Sequence, residues 1–334
     1  MSVKVTIKDT KQVNAEVGEF LREALLANGI DIGICGGNGH CGRCKVKTDS
    51  SSPVTAEERE YFSAEELSAG WRLACQVLLK EDTSVELDPS FEPVGKFSAK
   101  CEKITKLTDD INLFSFALTG NNKLHFVPGQ YIVLTAPVFE ESTEPVQRAF
   151  SLASSSLDEH HFNLLIRKNP NGICTNYLFN FLQLDEELAF RGPIGDFALT
   201  SSDKPAIMVA GGSGLSAIRS LLFQLKSRRD ERKTFLFFGA QTEQQLYLID
   251  ELKQLETDLP NFKFIPVVQN PSSSWKGERG LVTDAVHRYF DSLSDTEAFL
   301  CGSPGMLKAC LDVLKKFGLT DSNIHFDAFG KMET

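Results

Sequence analysis

Four cysteines constrain this chain more than any other feature. Cys35, Cys41 and Cys44 fall within ten residues, and Cys75 follows about thirty residues later. The segment ICGGNGHCGRCKV puts five residues in the first gap and two in the second, and WRLACQV carries the fourth thiol. Three thiolates this close must lie on a wrapped loop, and Gly36, Gly37, Gly39 and Gly42 let it wrap. Amide N–H groups of such a loop can turn towards a metal–sulfur core and stabilise its negative charge. Structural zinc is the alternative, but it uses paired Cys-x2-Cys knuckles, usually one at each end of a short module. Here one such pair exists, and Cys75 has no second partner nearby. A disulfide framework is disfavoured, because nothing at the N-terminus resembles a secretory signal.

The spacing resembles the 2Fe–2S ferredoxin loop. That resemblance implies one-electron chemistry, with Cys35, Cys41, Cys44 and Cys75 as the iron ligands. Plant-type ferredoxins have four residues in the first gap rather than five. The insertion changes the subfamily, not the chemistry.

A length of 334 residues predicts two to three domains of ordinary size. The net charge of −10 argues against nucleic acid as the main partner, since phosphate binding needs basic clusters. The basic run KSRRDERK at 226–233 is interleaved with acids and reads as a solvated helix end or loop. No apolar stretch approaches the length of a membrane-spanning helix. Cys101, Cys174, Cys301 and Cys310 show no pairing pattern, and the chain is expected to be cytoplasmic.

Three segments follow one another. In the first, SVKVTI alternates as a strand does, VGEFLREALLAN (17–28) has helical spacing, and CKVKT, CQVLL and SVELD read as strands. TAEEREYFSAEEL reads as a helical insert with caps at Thr55 and Ser63, and DPSFEPVGK as a linker. The second segment is rich in short alternating strands, which predicts an antiparallel barrel. The third alternates apolar strands (AIMVAGG, TFLFFGA, FKFIPVV, EAFLCG) with helices at 217–227, 244–257, 282–290 and 306–317, the signature of a parallel α/β sheet.

The second and third segments resemble the ferredoxin–NADP reductase-like flavoproteins, whose motifs occur here in family order. HFVPGQYIVL matches the family's Pro-Gly-Gln-Tyr strand at Pro128–Tyr131. RAFSLAS matches the Arg-x-Tyr-Ser flavin motif at Arg148, Phe150 and Ser151, GICTN matches Gly-x-x-Ser/Thr at Gly172 and Thr175, and GPIGDF supplies the Gly-Pro-x-Gly-x-Phe turn. The resemblance implies FAD. Arg148 offers a forked cation for its diphosphate, and Gly172 and Thr175 precede a helix whose N-terminal amides can share that charge. Phe150 can pack on the isoalloxazine, and Ser151 can hydrogen-bond the edge that accepts hydride. Phenylalanine in place of tyrosine removes one hydroxyl from the pattern.

AIMVAGGSGLSAIRSLL places Gly211, Gly212 and Gly214 between a strand and a helix, where a diphosphate can approach backbone amides. The family continues Gly-Ile-Ala-Pro; Leu215, Ser216 and Ala217 stand here instead, and loss of the proline predicts a less rigid turn. FLCGSPGM matches Cys-Gly-x-Pro-x-Met at Cys301, Gly302, Pro304 and Met306, which implies a thiol near the hydride-delivering carbon of the nicotinamide. IHFDAFG resembles the family ending, with Phe329 as the aromatic that shields the flavin and Asp327 where an acid usually occurs. The region after the second strand has Gln241 and Glu243 and no Arg or Lys, which predicts NADH over NADPH.

The fold expected is therefore multi-domain, α/β and β. It comprises a β-grasp 2Fe–2S ferredoxin over 1–93, an FAD-binding β-barrel over 97–202 and a Rossmann-like NAD domain over 204–334. The expected activity is NADH-dependent reduction of FAD, with single electrons leaving through the cluster to a redox acceptor protein. The five-residue gap, WRLACQV, SWKGERG and DAFG resemble the F subunits of sodium-translocating NADH:quinone reductases. Those carry an N-terminal membrane helix that this sequence lacks, so a cytoplasmic acceptor is expected. Reductases of oxygenases share the three-segment order, which implies an oxygenase component. TAEEREYFSAEELSAGWRLACQ resembles ferredoxin modules of corrinoid-activating proteins, which implies a corrinoid protein. A non-catalytic electron carrier or redox sensor with a degenerate nicotinamide site is the alternative that Leu215–Ala217 permit.

Overall fold

A computed structural model describes residues 2–8, 11–28, 30, 32, 39, 44–87 and 95–328. The chain divides into two compact units, Met1–Gly95 and Lys96–Thr334.

The first unit is a five-stranded mixed sheet in the order β2-β1-β5-β3-β4. It is built from β1 (Ser2–Ile7), β2 (Lys11–Glu16), α1 (Leu21–Ala27), β3 (Lys45–Thr48), α2 (Ala56–Tyr61), α3 (Ala64–Ser68), β4 (Trp71–Leu73) and β5 (Thr83–Leu87). The alternation in SVKVTI buries Val3, Val5 and Ile7 on one face of β1, where they meet Leu21, Ala24 and Leu25 of α1 in one core. α1 is shorter than its apolar spacing predicts. Residues 18–20 instead pair by backbone with Leu78 and Leu79, which is also why CQVLL forms a single bridge rather than a strand. The expected insert is two short helices, each with a complete capping box, at Thr55 with Glu58 and at Ser63 with Glu66.

Glu58 has a second task. Its carboxylate, fully buried, accepts both Nε (2.9 Å) and Nη2 (2.9 Å) of buried Arg72, together with the backbone N–H groups of Leu73 and Thr55. Arg72 also donates to the carbonyls of Ser52 and Pro53. Burying two charges carries a desolvation penalty, which this pair offsets by surrounding both partners with hydrogen bonds. It anchors α2 to β4, three residues before Cys75.

The second unit begins with a six-stranded antiparallel barrel in the order β10-β7-β6-β11-β8-β9. Its elements are β6 (Gly95–Lys106), β7 (Ile111–Leu118), β8 (Tyr131–Ala136), β9 (Val146–Ser151), β10 (His161–Arg167), α4 (Ile173–Asn180) and β11 (Glu187–Ile194). A bridge between Leu152 and Leu164, with Ala153 N–H donating to the Asn163 carbonyl at 2.8 Å, joins the edges beyond β9 and β10. Phe114, Phe116, Phe162 and Phe190 fill the interior.

A six-stranded parallel sheet follows, ordered β15-β14-β13-β12-β16-β17. It comprises β12 (Ala206–Gly211), α5 (Leu215–Arg228), β13 (Thr234–Ala240), α6 (Ile249–Asp258), β14 (Phe262–Val268), β15 (Glu278–Arg279), α7 (Val282–Tyr289), β16 (Glu297–Gly302), α8 (Pro304–Lys316) and β17 (Ile324–Ala328). Met208 and Ala210 of β12 pack with α5 and α6, whereas Ile207 and Val209 pack with α7 and α8. Burial on both faces explains the continuous apolar run. The strand order reverses at β12, the position that collects ligands in open α/β sheets. Ile111, Ala153, Leu165 and Phe197 of the barrel join the α5–α6 core, so barrel and parallel sheet pack as one unit. Among the described residues, no helix is long and apolar enough to cross a membrane.

Replacing Glu58 by Ala leaves a buried guanidinium without its carboxylate and is expected to cost about 3 kcal/mol. The check is denaturant unfolding of the purified protein, with the first unit followed through its visible absorbance. An unshifted midpoint would show that the pair is not anchoring α2.

Candidate functional site

Cys44 and Cys75 are brought together by the first unit: Ala74 N–H donates to the Cys44 carbonyl at 2.9 Å, and the two buried thiols hydrogen-bond one another. That mutual bond draws the Cys75 thiol down to about 6 and pushes Cys44 up. Cys75 Sγ also lies 3.5 Å from the Gln76 side chain and accepts from the Gly39 N–H. Buried sulfurs met by N–H donors fit an anionic iron–sulfur group. Cys35 and Cys41 lie outside the described residues.

In the second unit β9 carries Arg148, Phe150 and Ser151 in antiparallel register with β8, Ser151 opposite Tyr131 and Arg148 opposite Leu134. Arg148 is exposed and acts electrostatically on Cys174 of α4, so it lies near the start of that helix. Gly172 is the N-cap of α4 and supplies no side-chain cap, which leaves the first amides open to an anion. Thr175 is used internally: its hydroxyl accepts from Asn169 N–H at 3.1 Å and lies 3.0 Å from the Gly172 carbonyl, closing the turn before α4. An exposed cation beside uncapped amides fits the diphosphate of a dinucleotide.

The parallel sheet opens into a cavity of about 700 Å³ at its carboxyl edge. The turn at Gly211–Ser213 forms one wall and Met306 another; Gln241, Gln245 and Gln269 line the cavity after β13 and β14. A Cβ on Gly214 would sit 2.1 Å from the carbonyl oxygen of Cys301, so only glycine lets the turn approach β16 this closely. Gly212 has φ +54°, and its carbonyl accepts the Tyr247 hydroxyl at 2.7 Å. That partly buried bond steadies the turn without the proline whose loss predicted a less rigid one. Glu243 does not line the cavity; its carboxylate accepts the Ser272 N–H at 2.8 Å, and the bonds from Ser272 hold its carboxyl below the usual range.

The predicted hydride-side residues converge. Cys301, next to last in β16, is fully buried and in parallel register with Asp327 on β17. Asp327 is buried and accepts the hydroxyl of Ser151 at 3.3 Å. Phe329 lies outside the described residues.

Sequence reasoning missed what holds this arrangement. One face of α5 donates to three carbonyls at and beyond the end of β9: Ser216 to Ser151 (2.6 Å), Arg219 to Ala153 (2.6 Å) and Ser220 to Ser154 (2.9 Å). Arg219 is held in turn by both oxygens of Glu251. Spacing of i, i+3 and i+4 was the available signal. Also missed was Arg167 at the end of β10, which reaches the cavity beside Gly212 and pairs with Asp110 at 2.9 Å.

Family models match in the order read from the motifs: a 2Fe-2S iron-sulfur cluster binding domain over 5–80, an oxidoreductase FAD-binding domain over 98–199 and an oxidoreductase NAD-binding domain over 208–312. The phenol hydroxylase P5 protein of Acinetobacter pittii is 31% identical, covering 98% of this chain and 95% of the relative. The chain belongs to the iron–sulfur flavoprotein reductases. Its cofactors are a 2Fe–2S cluster, FAD and a nicotinamide dinucleotide. The F subunit of the Na(+)-translocating NADH-quinone reductase of Neisseria gonorrhoeae is 26% identical over 98% of this chain and 92% of its own length. Among solved structures, the Amycolatopsis cytochrome P450 reductase GcoB superposes with a TM-score of 0.80 at 26% identity, covering 99% and 100% of the two chains.

Replacing Ser216 and Ser220 together by Ala leaves two buried carbonyls short of a donor. The expected loss is about 2 kcal/mol of stability in the reductase unit. Flavin release followed by fluorescence during denaturation measures it, and unchanged release in the double variant would remove α5 from this role.

Proposed function

We propose that this reductase serves the catalytic component of an oxygenase, drawing on NADH rather than NADPH. When bound, FAD accepts hydride and passes electrons on singly, and the 2Fe–2S cluster carries one at a time. The chain's own residues do the positioning. Arg148 and the open amides of α4 hold the flavin diphosphate, Phe150 packs on the ring, and Gly172 shapes the turn that Thr175 closes. Gly211 and Gly212 let the nicotinamide dinucleotide lie along the carboxyl edge of the sheet, while Gly214 and Gly302 let the turn pack closely on Cys301 and Met306 behind it. Ser151 presents its hydroxyl between the flavin strand and Asp327, so a proton can be held or handed over at Ser151 Oγ. The reading assigns Phe329 to shielding the flavin face, and Cys35 and Cys41 to completing the iron ligands with Cys44 and Cys75.

The observation that carries the reading is the Ser151–Asp327 contact beside Cys301, where β9 of the barrel meets β17 of the parallel sheet. A carrier with a degenerate nicotinamide site has no need of that convergence. Support for an oxygenase acceptor comes from relatives named for phenol hydroxylase and for cytochrome P450. A corrinoid acceptor, favoured by the likeness of the ferredoxin segment, is separated by the same assay. For the coenzyme, Arg167 is the one Lys or Arg among the described residues lining the cavity, and it is already paired with Asp110. Glutamine amides at 241, 245 and 269 offer neutral hydrogen bonds to a ribose and no charge to a 2′-phosphate.

Anaerobic titration with NADH is expected to bleach flavin and iron–sulfur bands together at roughly one to two equivalents per chain. Bands that NADH leaves untouched would make the protein a carrier or sensor. The reduced protein should then donate to an oxygenase component and not to a cobalamin protein; the reverse order assigns a corrinoid partner. Replacing Gln241 by Arg should raise kcat/KM for NADPH relative to NADH by about tenfold, since one good charge contact to phosphate is worth that much. An unchanged ratio would move coenzyme selection away from this strand end.

A further inference from the structure

The first turn of α1 lies on the Cys75 turn: Leu21 N–H donates to the Val77 carbonyl at 2.8 Å and Arg22 N–H to the Ala74 carbonyl at 3.0 Å. Arg22 follows from that placement. Its Nη1 is buried and has no hydrogen-bond partner among the described residues, and its charge acts on both Cys44 and Cys75. A buried cationic donor without an acceptor is costly. Among the described residues, Cys44 and Cys75 lie at the same turn and can answer it once they ligate iron and share the negative charge of the cluster. Cys75 already accepts from Gln76 and Gly39, so the guanidinium adds a full charge to a set of neutral donors.

We infer that Arg22 is a tuning residue of the 2Fe–2S centre, whose fixed positive charge beside Cys44 and Cys75 favours the reduced cluster. The inference rests on the flavin-to-cluster path proposed above. One electron enters from the flavin, iron is reduced, and no bond is made or broken. The centre gains one negative charge, and attraction to a fixed cation grows with it. An arginine keeps its charge at any working pH, so the effect does not titrate.

The test uses the full-length holoprotein and an anaerobic, EPR-monitored redox titration of the reduced-cluster signal. Arg22→Gln should lower the equilibrium constant for cluster reduction roughly tenfold, a midpoint about 59 mV more negative for one electron. Arg22→Lys should stay within about twofold of the parent, because it keeps the charge. The flavin midpoint should not move in either variant. An unchanged cluster midpoint in Arg22→Gln, or equal falls in both variants, overturns the assignment. If Arg22→Gln takes up no cluster, Arg22→Lys decides. Full cluster content at the parent midpoint supports the charge role, and an empty Arg22→Lys protein overturns it. No cluster signal in the parent protein would instead sink the electron path on which the inference rests.

Discussion

The hydroxyl of Ser216, donating to the carbonyl of Ser151, ties the Gly211–Gly214 turn to β9 within two residues of each. Hydride transfer demands that donor and acceptor atoms approach closely and in line. Two domains joined only by apolar packing can slide, because such packing is non-directional. Three directed bonds from one helix face to Ser151, Ala153 and Ser154 remove that freedom. Arg219 makes the arrangement stiffer, since Glu251 fixes its fork from α6 and leaves one nitrogen aimed at the barrel. The same strand end that receives these bonds gives its hydroxyl to Asp327.

The first unit solves a different problem. Its core is small, and thiolates buried for iron would repel one another without support. Glu58 and Arg72 fasten the helical insert to β4 by a buried, many-bonded ion pair, and β4 leads directly to Cys75. One carboxylate therefore closes a capping box and fixes the strand before Cys75. Both roles require the acid to face inward, which explains why it occupies a position with no exposure.

Much of this is legible in the sequence, and what is not has physical causes. Alternation in SVKVTI, the apolar runs of the parallel sheet and the caps at Thr55 and Ser63 are local, and they name their elements correctly. CQVLL has strand composition, yet its partner is the turn before α1, so tertiary context gives it one bridge and no ladder. β2 escapes a reading by pattern because KQVNAE has only two apolar positions facing the core. At the site, motif residues Ser151, Cys301 and Asp327 can be named, whereas Ser216 looks like a departure from a pattern. Its role depends on a carbonyl 65 positions away, which no local window contains. Glu243 shows the converse error: an acid at the right place in sequence is engaged by Ser272.

Charge distribution also explains the character of the nicotinamide cavity. A dinucleotide diphosphate brings two negative charges to a wall made of backbone amides and one arginine. Arg167 is partly neutralised by Asp110, so its field is short-ranged and serves the turn beside Gly212 rather than the cavity's far end. Beyond β13 and β14 the lining turns to glutamine, whose amides pair with hydroxyls but cannot offset a phosphate dianion. A coenzyme carrying that extra phosphate would lose hydration there and recover neutral hydrogen bonds only. Under the proposed reading, discrimination at this end comes from what the cavity withholds, while the contact of Ser151 with Asp327 is set by what α5 and β17 supply.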